Sequence, residues 1–407
     1  MISRRDLLKA VPAALAFGAT MPRSLLHAAE AAAADHDANV LVVVQLSGGN
    51  DGLNTVVPYR DPIYRATRPT LAIAASDILE IDQGLGFHPA ARGFADLLEA
   101  GRLAIVQGVG YDQPNRSHFE SMDIWHTCQR KHDARHTGWL GRYLDTNARE
   151  TRDAPAIHLG GEQQPLALRA EIVRTPTIRS LDEFHLQGSD GASREMVRDL
   201  TGTTRPGGGD LLDFVQSTTT TALDVSERFS ASEAARQPAP GYPATSLGQK
   251  LGTIARLITS GLGTRVYYVE VDGFDTHAQQ AGAHEALLRQ VGDAVARFVT
   301  SMAEHQLGGR VLVMCFSEFG RRVAENASEG TDHGAAAPMF LAGDSVKPGL
   351  IGNHPSLTDL IEGDLKHHTD FRQVYAAILE RWLRVPAAPL LHGEYRPIDV
   401  LRTGPTA

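Results

Sequence analysis

The 407-residue chain reads as an α/β protein, a doubly wound, mostly parallel sheet with helices on both faces and a polar insertion in the middle. Three observations predict this. Short β-branched apolar runs recur at 40–46, 103–107, 266–271, 311–316 and 339–342, each bounded by Gly, Asp or Ser, as buried parallel strands are. Stretches with helical spacing of apolar residues lie between them. Polar clusters follow most of the strand ends, where sheets of this kind bind ligands.

The chain opens on Ser3-Arg4-Arg5-Asp6-Leu7-Leu8-Lys9, followed by an apolar run at 10–17 that is too short to span a bilayer. Small residues at 28–34 then offer several A-x-A cleavage sites. Residues 1–34 resemble a twin-arginine export signal, with Leu7 where the pattern usually has Phe. The resemblance implies a periplasmic or secreted protein exported folded, with the twin-arginine translocase as a transient partner and no stable membrane span. Cleavage near Ala31 removes four basic and two acidic residues and moves the formal charge from −9 to about −11. Such a chain has no basic patch to neutralise phosphates, which excludes nucleic acid as a partner. Cys128 and Cys315 match no metal spacing, and Cys315, inside an apolar run, reads as a core thiol.

Residues 38–400 read as a single domain. The first strand, 40–46, ends in a glycine-rich turn, and a helix at 88–101 leads into the second, 103–107. A helix at 117–128 follows, opened by Ser117 and Glu120 in the S-x-x-E spacing of a capping box. From about 186 to 245 turn formers replace apolar residues, and this stretch reads as an insertion or cap rather than a second core. After the third strand, 266–271, a long helix at 278–306 places Leu287, Leu288, Val291, Val295, Phe298, Val299 and Met302 on one face. The strands at 311–316 and 339–342 and a helix at 370–383 complete the domain.

The candidate chemistry lies at the strand ends. In Ser47-Gly48-Gly49-Asn50-Asp51-Gly52-Leu53-Asn54 the glycines allow close backbone approach and Asp51 is either a metal ligand or a helix cap. Ser117 opens a helix where backbone N–H groups favour an anion, and Asn115 and Arg116 could add donors. Asp272-Gly273-Phe274-Asp275-Thr276-His277 mixes carboxylate and imidazole, which suits Zn, Mn or Fe better than the all-oxygen sites of Ca or Mg. Which of Asp272 and Asp275 would be the ligand stays open, since one could hold the second nitrogen of His277. Glu318 could bind metal and Arg321 grip an oxyanion, or the two could pair structurally. Asp332 and His333 follow in a glycine- and alanine-rich loop.

The strings Leu46–Asn54, Asn115–Phe119, Asp272–His277, Ser317–Arg321 and Asp332–Gly334 together resemble the bacterial family called domain of unknown function 1501, over essentially all the chain beyond residue 34. That family looks like a branch of the alkaline phosphatase and sulfatase superfamily. The resemblance implies that Asp51 binds metal, that Ser117 is the nucleophile, that Asp272 or Asp275 acts with His277, and that His333 is a late ligand. The superfamily's other Asp-His pair falls on Ser317-Glu318, where the imidazole is missing, so one or two ions remain open. Two functions follow. One is an exported metal-dependent hydrolase of a small-molecule or glycan-borne phosphate, sulfate or related anionic ester, with Ser117 or a water as nucleophile and Arg321 and Asn115 holding charge. The other is a catalytically reduced envelope binding or assembly protein on the same fold; a metal-free serine esterase would further need a His–Asp relay from His333 and Asp332.

Overall fold

The computed structural model describes residues 38–82, 84–133, 135–146, 154–161, 163–179 and 240–402. From residue 39 on, the described residues form one compact unit. The signal-like segment 1–34, and the proposed insertion up to residue 239, lie outside the described residues.

The main sheet is nine-stranded. Its strands are β1 (Val40–Leu46), β2 (Leu103–Gly110), β3 (Ala156–Leu159), β4 (Thr177–Ile178), β5 (Val266–Val271), β6 (Val311–Phe316), β7 (Ala337–Ala342), β8 (Gly349–Ile351) and β9 (Thr369–Asp370). Their order is β8-β2-β7-β6-β1-β5-β3-β4, with β9 also on β2. β1 is central, parallel to β5 with Leu46 opposite Val271, and parallel to β6 with Gln45 opposite Phe316. All seven residues of β1 are buried. Val40, Val42, Val44 and Leu46 pack into one core cluster while Leu41 and Val43 pack into the other, which is why the strand reads as continuously apolar.

Each face is covered by helices. On one lie α1 (Arg92–Glu99), α4 (Ser246–Thr259) and the long α5 (Gln280–Glu304); on the other lie α2 (His118–Thr127), α3 (Trp139–Thr146) and α6 (Phe371–Ala377). The expected stripe on α5 is buried from Leu288 to Met302, with Leu287 partly so. Trp125 of α2 stacks between Phe316 and Phe371, at 5.3 and 4.4 Å between ring centroids. Burial of side chains this size contributes about 1.5–3 kcal/mol each.

Several expectations need correction. The strand at 337–342 is not parallel: β7 runs antiparallel to both β2 and β6. No helix lies between β6 and β7, and without a crossover helix the chain turns back at the same edge. The expected capping box does not form. Ser117 is the N-cap of α2 but makes no side-chain capping bond, and Glu120 instead meets Arg135 at 2.5 Å. The helix expected at 370–383 is α-helical only to Ala377 and then widens into a π turn, Ile378–Trp382. A small antiparallel sheet of Val56–Val57, Leu79–Asp82 and Leu85–Phe87 was not expected. Both cysteines are free and buried.

Candidate metal centre

Three adjacent parallel strands, β5, β1 and β6, end side by side and deliver the loops at 272–277, 47–51 and 317–321 to one edge. β2 ends at the same edge and leads to His118. Because β7 is antiparallel, the loop before it also starts from this edge, and that places His333 there.

Four side chains converge. His118 Nε2 lies 3.4 Å from Asp275 Oδ2, and His333 Nε2 and His277 Nε2 each lie 3.1 Å from Asp275 Oδ1. The two latter nitrogens are 2.9 Å apart. Ligand atoms of His118, Asp275 and His333 all fall within 4.8 Å of one another.

The opposite ring nitrogens are held from behind. His333 Nδ1 donates to the Arg116 carbonyl at 2.8 Å, His118 Nδ1 to Glu318 Oε1 at 2.8 Å, and His277 Nδ1 lies 3.5 Å from Asp332 Oδ1. A proton on each Nδ1 leaves each Nε2 as a lone pair facing Asp275. Lone pairs of His277 and His333 at 2.9 Å, beside a carboxylate, repel unless a cation is shared among them. His118 Nε2 is buried and has no hydrogen-bond partner, although its ring sits against an anion. A transition-metal ion fits this donor set; an oxygen-seeking ion does not.

Glu318 is not in the cluster but behind it. It is 2% exposed, with Oε1 accepting from Gly48 N at 2.9 Å as well as from His118, and Oε2 accepting from Ser317 Oγ at 3.0 Å. Its hydrogen bond raises the His118 pKa above the ordinary imidazole value despite burial. Desolvation lowers that of His333, outweighing Asp275 and the Arg116 carbonyl. For Asp275, burial works upward, but the hydrogen bond and charge of Arg321, with the imidazoles beside it, hold the carboxyl down at about 2.

The remaining expected residues lie elsewhere. Asp51 is in a buried layer beneath, its Oδ2 2.6 Å from Arg68 Nη1 and 2.5 Å from Gln280 Nε2, with both ion-pair side chains at 0% exposure. Burial pushes its carboxyl up, yet Arg68, with His284 and Gln280, brings it below the ordinary value. It also caps the 3-10 turn Gly52–Asn54. Asp272 is exposed and accepts from the N–H of Gly273 at 2.7 Å. Arg321 is 1% exposed, and its guanidinium bridges the carbonyls of Gly48, Gly49, Phe274 and Thr331 besides meeting Asp275 at 2.8 Å. It ties three loops together, with little donor capacity left for an oxyanion. Arg116 turns to Asp364 at 2.7 Å. Ser117 is exposed one residue before His118, and Asn115 Oδ1 accepts the Ser117 N–H at 2.8 Å.

Sequence reasoning missed His118. It lay inside a motif read for Ser117, Asn115 and Arg116, and its signal is an imidazole on the first turn of a helix leaving the ligand edge of the sheet.

A family model described as "Protein of unknown function (DUF1501)" matches residues 104–385. No protein of curated function matches the chain. Solved structures with some likeness include the lipoteichoic acid synthase LtaP from Listeria monocytogenes, at 7% identity and TM-score 0.39, over 89% of this chain and 76% of that one. A second is the PsFucS1 sulfatase from Pseudoalteromonas sp., at 8% identity and TM-score 0.38, over 89% and 70%. A third is the alkaline phosphatase from the Antarctic bacterium TAB5, at 12% and 0.32, over 76% and 92%. These scores assign neither activity nor ligand to this chain.

Proposed function

Since the chain belongs to the DUF1501 family of proteins of unknown function, we propose from its own residues that it is an exported metal-dependent hydrolase of a phosphate, sulfate or related anionic ester. The observation that carries this reading is the set of three imidazole Nε2 atoms facing Asp275, each ring braced at Nδ1. His118, His277, His333 and Asp275 would hold a Zn, Mn or Fe ion, which when bound supplies a Lewis acid for the ester oxygen and activates a neighbouring hydroxyl or water. Ser117 presents such a hydroxyl at the N-terminus of α2, where backbone N–H groups favour an anion. The Arg68–Asp51 pair favours a single ion, because it commits the carboxylate that a second would need.

Elemental analysis of protein purified through its native export route tests the reading, together with turnover on phosphate and sulfate mono- and diesters. One transition-metal ion per chain is expected, lost in His118→Ala and His333→Ala, with hydrolysis of at least one ester class. Metal-free parent protein, or full metal retention in both variants, would overturn it.

Export belongs to the same proposal and rests on the Arg4-Arg5 pair. Replacing both by Lys should leave the precursor uncleaved inside the cell, as read by fractionation; unchanged export would contradict the twin-arginine route. Among the described residues, no helix is long and apolar enough to cross a membrane.

A further inference from the structure

Beside the imidazole cluster opens a cavity of about 1370 Å³, lined in part by Gln45, Ser47, Phe119, Thr175 and Glu270 and reaching Asp275. A small-ligand pocket typically measures roughly 300–1000 Å³, so a phosphate or sulfate group alone would leave most of this space empty. The cavity therefore takes the rest of the molecule that carries the ester.

Its floor is a fixed polar array. Gln45 Nε2 donates to Ser47 Oγ at 2.7 Å and to Glu270 Oε1 at 3.2 Å, and the Ser47 hydroxyl also donates to Glu270 Oε1. Gln45 cannot turn over, because its Oε1 accepts from His126 Nε2 at 2.9 Å and from the Tyr268 hydroxyl. Both side-chain bonds that reach the Glu270 carboxylate end on its Oε1, and among the described residues its Oε2 receives none. On the same lining, Thr175 is 9% exposed and its buried Oγ1 has no partner. An unpaired buried hydroxyl is costly, so Thr175 calls for a partner group.

Charge narrows the ligand further. Six carboxylates line the cavity against two arginines, Arg169 and Arg174, so a polyanion is repelled. A ligand hydroxyl suits both groups, since it can donate to Glu270 and either accept from or donate to Thr175. Phe119, 87% exposed and on the same lining, offers a flat apolar surface to the C–H face of a ring.

We propose that this cavity binds a neutral, hydroxyl-rich group, the sugar or polyol portion of the ester acted on at the adjacent cluster. The proposal rests on the hydrolase reading for what the group is attached to, but binding itself needs none of the imidazoles.

Saturation-transfer NMR on the full-length mature protein tests it, with neutral tetrasaccharides of glucose, mannose and galactose as probes and sulfated forms of the same sugars alongside. At least one neutral probe should bind, about tenfold or more weaker in Glu270→Gln and in Thr175→Val, and unchanged in His333→Ala. Should Glu270→Gln fail to fold, Thr175→Val decides alone. The proposal is overturned if no neutral probe binds or if the substitutions leave affinity untouched. His333→Ala keeps the two readings apart, because loss of metal with sugar binding retained, or the reverse, assigns failure to one of them.

Discussion

Glu318 and Asp51 are both buried acids at the same sheet edge, and their partners give them different work. Glu318 shares its Oε1 between Gly48 N and His118 Nδ1, and so fixes the ring that presents Nε2. Glu318→Gln should weaken metal binding by about 10- to 100-fold in titrations against a competing chelator, as loss of a carboxylate behind a ligating imidazole does. Unchanged affinity would make Glu318 merely structural. Asp51→Ala should instead leave Arg68 buried without its anion and cost about 3–5 kcal/mol in denaturant unfolding. Metal stoichiometry should persist in whatever folds. Sequence could not separate the metal ligand from the buried ion-pair acid, because Asp51 and Asp275 both lie in polar loops at the ends of parallel strands. What divides them is Arg68, which enters from a loop with nothing in its own neighbourhood to mark it.

The elements explain why so much of the edge was legible and one direction was not. β1, β5 and β6 are apolar on both faces save for Gln45 and Glu270 near the ends of β1 and β5, and they end where the sequence expects, as buried parallel strands do. A short run such as Ala337–Ala342 carries no sign of its direction; that is set by the helix-free loop before it. The antiparallel turn was nevertheless what brought His333 into place. Among the connections, Gly48 combines a close approach with left-handed backbone: its φ is +114°, and a Cβ there would lie 2.3 Å from Asp275 N. Gly48→Ala should therefore destabilise the fold by about 2–4 kcal/mol and displace Asp275 and Glu318 together, so that stability and metal content fall in one variant. A variant with normal unfolding and normal metal content would show that the two loops do not need this approach.

At the scale of the whole molecule, three buried histidines outside the cluster couple folding to pH. Desolvation lowers His126 to about 3, and lowers His158 and His284 to about 4, from 6.5. As pH falls below 6.5 the unfolded chain takes up these protons before the native state does, so stability present above 6.5 is lost on the way down to about 4. Each histidine contributes a slope of about 1.4 kcal/mol per pH unit. Denaturant unfolding between pH 7 and 4.5 should show this fall, made shallower in His284→Gln, whereas a flat profile would mean that these rings gain protons without unfolding. The central claim is that the edge assembled by β1, β2, β5, β6 and the loop before β7 is one metal centre. Anomalous diffraction from crystals of protein purified through its export route tests that most directly. The account predicts a peak about 2.0–2.2 Å from His118 Nε2, His333 Nε2 and an oxygen of Asp275. A map without that peak, or with the metal on Asp51 instead, would contradict it.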